Sequence, residues 1–152
     1  MIYRPLQNGK VAIPDYDEGI RLLTELCKQK QEKGENTIRL EGRLTKLKKA
    51  AEKTKAIREE ANASLKNGGY ELVKIPCFTT FDKDNTNFMN GVCGTCKETG
   101  KTYYITNKPG ERELEGVITE YLKGAGIDNV YFVSTTKDLK CMGGIDCLTQ
   151  EE

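Results

Sequence analysis

The feature that most constrains the fold of this chain is an internal repeat. One stretch runs NGKVAIP, a helical segment, GYELVKIP, a polar loop and FMNGVC; a second runs TGKTYYIT, a helical segment, GIDNVYFV, a loop and CMGGIDC. Each copy has the order strand, helix, strand, loop, short strand. Gly9 aligns with Gly100 at an offset of about 91 and Gly91 with Gly144 at about 53, so roughly 38 extra residues lie between the strands of the first copy. The expected class is therefore α+β, with two strand–helix–strand modules and a long helical hairpin inserted into the first.

Local patterns place the elements. GKVAIP alternates and ends in proline, as a short strand does. Asp15 or Asp17 can cap a helix whose apolar stripe is Ile20, Leu23, Leu26 and Cys27 and which stops near Gly34. A second helix is expected over 37–66, with Leu40, Leu44, Leu47, Ala51, Ile57, Ala61 and Leu65 on one side and Asn67-Gly68-Gly69 at its end. Strands are expected over 70–75, 102–106 and 129–133, with a loop over 78–87 and a turn at CGTCKETG. Leu114, Val117, Ile118, Tyr121 and Leu122 mark a third helix, ended by Gly124 and Gly126. The chain reads as one domain over 1–152 with a helical insertion over 31–66.

Charge excludes several roles. With 24 basic and 23 acidic residues there is no global field to recruit nucleic acid or an anionic membrane. Residues 39–58 hold eight basic side chains but no interleaved aromatics, so a solvated helix face or a helix-in-groove contact is expected there, not a nucleic-acid surface. No apolar run reaches bilayer length, and MIYRPLQNGK lacks a signal core, so a cytoplasmic location is expected. Cys27 on its helical stripe and Cys77 after a strand read as small buried hydrophobes. The sequence has no histidine, which constrains every catalytic scheme.

The C-terminal GGIDCLTQ carries the sharpest chemistry. Together with GKTYYIT, a helix and GIDNVYFV before it, and with GYELVKIP and FMNGV upstream, it resembles the end of agmatine deiminases and peptidylarginine deiminases, members of the guanidino-group-modifying (pentein) superfamily. The resemblance spans residues 68–150, and more loosely 8–30. It implies an α/β-propeller of ββαβ-like modules and a cysteine nucleophile, which falls on Cys147. Gly143 and Gly144 would shape the turn that lets substrate approach the backbone, and Asp146 stands where agmatine deiminases often carry histidine. The implied substrate is a guanidino small molecule or an arginine side chain, with no cofactor. Two modules are too few to close a five-module ring, so a second chain or a homo-oligomer is the expected complement, and exposed sheet edges favour such association. Asp15, at the end of the first strand, could also face the module axis, although capping the helix is the simpler role.

Two other readings stand beside this one. The chain could be a non-catalytic scaffold that keeps the fold and meets a partner through its charged helices. Alternatively Cys93, Cys96, Cys141 and Cys147 could form a four-thiolate zinc site, since CGTC has knuckle spacing, although five residues separate the second pair. CGTC also has the spacing of a thiol–disulfide pair, but the expected turn into a strand lacks the helix N-terminus that activates such a pair.

Overall fold

The computed structural model describes residues 3–80, 88–108 and 110–134. They form β1 (Arg4–Pro5), β2 (Lys10–Asp15), α1 (Tyr16–Glu32), α2 (Ile38–Asn67), β3 (Glu71–Pro76), β4 (Gly91–Thr95), β5 (Thr102–Asn107), α3 (Glu113–Gly124) and β6 (Asn129–Val133). The class is α+β, with two three-stranded sheets ordered β1-β2-β3 and β4-β5-β6.

The two sheets have the same construction. In each, the first two strands are antiparallel and the last two are parallel, joined by a helical crossover. Both hairpins turn on a glycine placed before a lysine, and both glycines are left-handed, Gly9 at φ 72° and Gly100 at φ 67°. In the first hairpin Asn8 is left-handed too, at φ 60°, the backbone that an Asn-Gly pair supplies to a two-residue turn. Leu6 N–H then donates to Lys10 O at 2.8 Å. This hairpin creates β1, which pattern reading overlooked although Asn8-Gly9 signals it.

The parallel pair β2–β3 runs in register from Lys10↔Glu71 to Asp15↔Pro76. Asp15 caps α1 as expected, its Oδ1 accepting from Glu18 N–H at 3.0 Å. Leu23, Leu26 and Cys27 bury as the stripe requires. Helix α1 crosses the end of β3 so closely that a Cβ on Gly19 would stand 2.1 Å from the carbonyl oxygen of Cys77. The additional element of the first unit is α2 alone, because α1 occupies the crossover position that α3 fills in the second unit.

Only Leu40, Leu47 and Ala50 of α2 are buried. Ile57, expected on the inward stripe, is 51% exposed. The 30-residue α2 lies against the 17-residue α1 and outruns the surface available to it. A few contacts tether its far half: the Arg58 guanidinium lies 4.7 Å from the Tyr16 ring centroid, and Tyr3 Oη donates to Arg58 O at 3.3 Å.

The expected turn at CGTCKETG begins later than the spacing suggests. Cys93, Gly94 and Thr95 belong to β4, paired with Tyr104, Tyr103 and Thr102, and the turn is confined to 96–100. A glycine inside a strand leaves a gap, and here the Tyr103 ring fills it: a Cβ on Gly94 would stand 2.5 Å from Tyr103 Cζ.

One core joins both units, with Leu23, Leu47, Ile75, Phe78, Tyr104 and Ile118 almost wholly enclosed. Phe88 makes edge-to-face contacts with Phe78 and Phe132 at centroid distances of 5.6 and 6.3 Å. Tyr104 Oη donates toward the carbonyls of Phe88 and Met89, both at 3.1 Å, which fixes the segment entering β4. Across the helices, Tyr121 Oη donates to Glu18 Oε1 at 2.6 Å, and Lys30 Nζ lies 3.1 Å from Glu113 Oε1.

Candidate functional site

In an open sheet with parallel strands, ligands meet the carboxyl ends of those strands. At that end of the first sheet the fold brings together Asp15, Tyr16, Cys77 and Thr79, with Arg58 reaching over from α2. Cys77 N–H continues the ladder to Asp15 O at 2.9 Å, and Lys74 Nζ lies 3.8 Å from Asp15 Oδ2. The Asp15 carboxylate thus serves as helix cap and ion-pair partner.

The setting of Cys77 disfavours its thiolate. Burial pushes its thiol up, and the pull of the Thr79 N–H and hydroxyl, the Tyr16 hydroxyl and Arg58 does not restore it. Burial raises the Tyr16 phenol as well, with Cys77 adding to the rise while Thr54 and Arg58 oppose it. Cys27 is likewise raised, first by burial and then by Glu41 and Glu111. Both cysteines are free and buried, as small hydrophobes.

Cys93 and Cys96 occupy different surroundings. Cys93 lies on β4 at the floor of a cleft of about 250 Å³ bounded by Arg4, Pro5, Leu6 and Gln7. This cleft is the seam between the sheets, where the Gln7 side-chain amide donates to the Thr95 hydroxyl. Burial raises the Cys93 thiol, and the Gln7 N–H and Arg4 charge oppose the rise. Cys96 opens the turn into β5, where the Thr99 hydroxyl and the N–H groups of Thr99 and Glu98 converge on its sulfur and lower its pKa. Of the described cysteines it has the one thiol shifted toward thiolate. The turn closes through Gly100 N–H to Cys96 O at 2.8 Å. A cysteine placed three residues before a threonine in a turn can accept bonds there as an Asx or Ser/Thr side chain does.

Cys93 lies in β4 opposite Tyr104, and Cys96 follows the strand at the start of the turn. Among the described residues no group of three or more His, Cys, Asp or Glu side chains is arranged to hold a metal. The remaining candidates, Cys141, Gly143, Gly144, Asp146 and Cys147, lie outside the described residues. No described helix is long and apolar enough to cross a membrane.

Comparison with protein-family models, curated proteins and solved structures found no match to this chain.

Proposed function

We propose that this chain is a deiminase-like part of a guanidino-group hydrolase, with Cys147 as its nucleophile and its proton-transfer group supplied by another chain. The observation that carries the reading is the duplicated architecture: two units, each an antiparallel strand pair followed by a parallel pair across a helix. That order is the one expected of ββαβ modules. It supports the resemblance found at GGIDCLTQ, which follows β6 in the chain much as FMNGVC follows β3.

In the proposed chemistry the Cys147 thiolate attacks the guanidinium carbon and a C–S bond forms. One C–N bond breaks, and the departing nitrogen takes a proton and leaves as ammonia. Water then adds to the thiouronium carbon, a proton returns to sulfur, and the C–S bond breaks to give the ureido product. Both steps need a group that moves protons, and with no histidine in the sequence that role falls to a partner chain.

The test is site-resolved labelling of the full chain by 2-chloroacetamidine, a cationic amidine alkylator, against neutral iodoacetamide, read by mass spectrometry. A site built for guanidinium gives Cys147 a rate advantage for the amidine reagent that the other five cysteines lack. Equal ratios at all six would overturn the reading. The outcome would then favour a scaffold that meets partners through the outer half of α2, where Ile57 is exposed.

A further inference from the structure

A cleft of about 220 Å³ lies between the first turn of α1 and the middle of α2, and both of its walls belong to described residues. Asp17 forms one side. Glu52, Lys55, Arg58, Glu59 and Asn62 line the other, over a stretch of α2 about 15 Å long at about 1.5 Å per residue. Strand β2 ends at Asp15, just before this cleft begins.

Its charges are of both signs and lack ion-pair partners. Glu52 and Lys55 stand three residues apart, and Lys55 and Glu59 four, spacings at which helix side chains readily pair. Neither pair forms, and Asp17 has no cationic partner among the described residues. Asn62 Oδ1 is buried and accepts no hydrogen bond from a described residue, a state that buried polar atoms rarely hold without a reason. Arg58, by contrast, is fixed in place. Its Nε donates to Thr54 Oγ1 at 3.1 Å, its Nη2 donates to Ala51 O at 2.9 Å, and the Tyr16 ring lies against the guanidinium. Nη1 takes no part in these bonds.

We propose that this cleft binds a free basic α-amino acid. The ligand carboxylate meets Lys55 and Arg58 Nη1. Its α-ammonium and cationic side chain meet Asp17, Glu52 and Glu59, and one of its N–H groups supplies the donor that Asn62 Oδ1 lacks. The mixture of signs selects this class. A diamine or polyamine would leave Lys55 and Arg58 facing like charge, and a simple anion would face three carboxylates. The walls hold one more carboxylate than cation, the complement of a ligand with one more cation than carboxylate. A single metal ion does not suit the carboxylates, because among the described residues no three such side chains are arranged to hold one. The volume is also below the roughly 300–1,000 Å³ of clefts that take drug-sized ligands, which suits a molecule of amino-acid size.

Isothermal titration calorimetry of the full chain with L-lysine tests this. Lysine has no guanidinium, so its binding is independent of the proposed hydrolysis, and labelling at Cys147 can succeed or fail without bearing on it. Norleucine, which lacks the side-chain ammonium, and cadaverine, which lacks the carboxylate, should each bind about tenfold more weakly or worse, the worth of roughly one charge-assisted bond. Glu59→Gln should weaken lysine and cadaverine alike by about fivefold, whereas Lys55→Gln should weaken lysine and leave cadaverine unchanged or tighter. Both positions are exposed on α2, so the variants keep the fold, and circular dichroism checks it. Three results would overturn the proposal: no lysine binding at millimolar concentration, equal binding of lysine, norleucine and cadaverine, or a lysine affinity indifferent to both substitutions.

Discussion

Three helix-interior glycines provide a matched experiment on how α1 is seated. At Gly42 in α2 and Gly116 in α3 a Cβ would meet nothing within 4 Å. Replacing either by alanine gains the ordinary helix preference, about 1 kcal/mol, with nothing to oppose it. At Gly19 the same preference applies, but the added carbon would lie 2.1 Å from Cys77 O and 2.9 Å from Cys77 C. Neither atom can rotate away, because the Cys77 backbone is held by its own N–H bond to Asp15 O at 2.9 Å. Helix and strand end must separate by about 1 Å, and overpacking against backbone atoms that cannot rotate away falls at the upper end of the usual range, about 3 kcal/mol. The net expectation for Gly19→Ala is a loss of about 2 kcal/mol. In a domain of this size that lowers the melting midpoint by about 4–8 °C, while Gly42→Ala and Gly116→Ala each raise it by about 2–4 °C. Thermal and urea unfolding followed by far-ultraviolet circular dichroism reads all three. A Gly19→Ala protein as stable as the wild type would refute the close approach of α1 to β3, and with it the placement of the Asp15–Cys77 end of the sheet.

Two further predictions concern titrating groups. Arg21 and then Tyr121 hold the Glu18 carboxyl well below its ordinary range, at about 2, against a partial rise from burial. A carboxyl depressed in the folded state adds stability that is complete above the unfolded value near 4.5 and is lost as pH falls toward 2. Glu18→Gln should therefore flatten the acid limb of a stability–pH profile, and Tyr121→Phe should cost about 1 kcal/mol near neutrality and shrink that limb. Cys96 should be alkylated faster by iodoacetamide than Cys27, Cys77 or Cys93, since its thiol alone among these four is shifted downward while the others are raised. Thr99→Val, which removes the largest contribution, should slow Cys96 labelling in peptide-mapped rates without changing the other three.

Much of the architecture was legible because the strands and helices differ in period. NVYFV and TYYIT carry β-branched and aromatic residues in short runs, and Leu114, Ile118 and Leu122 recur at helical spacing; all became the elements expected of them. The failures arose where tertiary contacts outweighed local pattern. Gly94 looks like a strand breaker, yet the Tyr103 ring covers it and β4 continues to Thr95. Ile57 has the spacing of a buried residue, but it stays half exposed. Strand β1 is only two residues long, too short for periodicity, and could be found only through its turn. The candidate site was legible in a different way. Asp15 as a cap and Cys77 as a buried thiol followed from neighbours in sequence, whereas the stacking of Arg58 on Tyr16 joins residues that only the crossover brings together. The downward shift at Cys96 depends on where three hydrogens point in one turn, which spacing alone does not state.

The unequal crossovers show how cheaply a fold of this kind accepts new material. Residues 16–70 separate the parallel strands of the first sheet, and residues 108–128 those of the second. The longer connection is about two and a half times the shorter, and closure entropy grows only logarithmically with length. The difference amounts to about 1 kcal/mol, since each doubling adds about 0.6 kcal/mol. A single enclosed leucine returns about 1.5–3 kcal/mol, and α2 contributes both Leu40 and Leu47 to the shared core. Strand register sees the insertion only through its two ends, so a long helix can be gained at this position while the sheet beneath it keeps the same pairing.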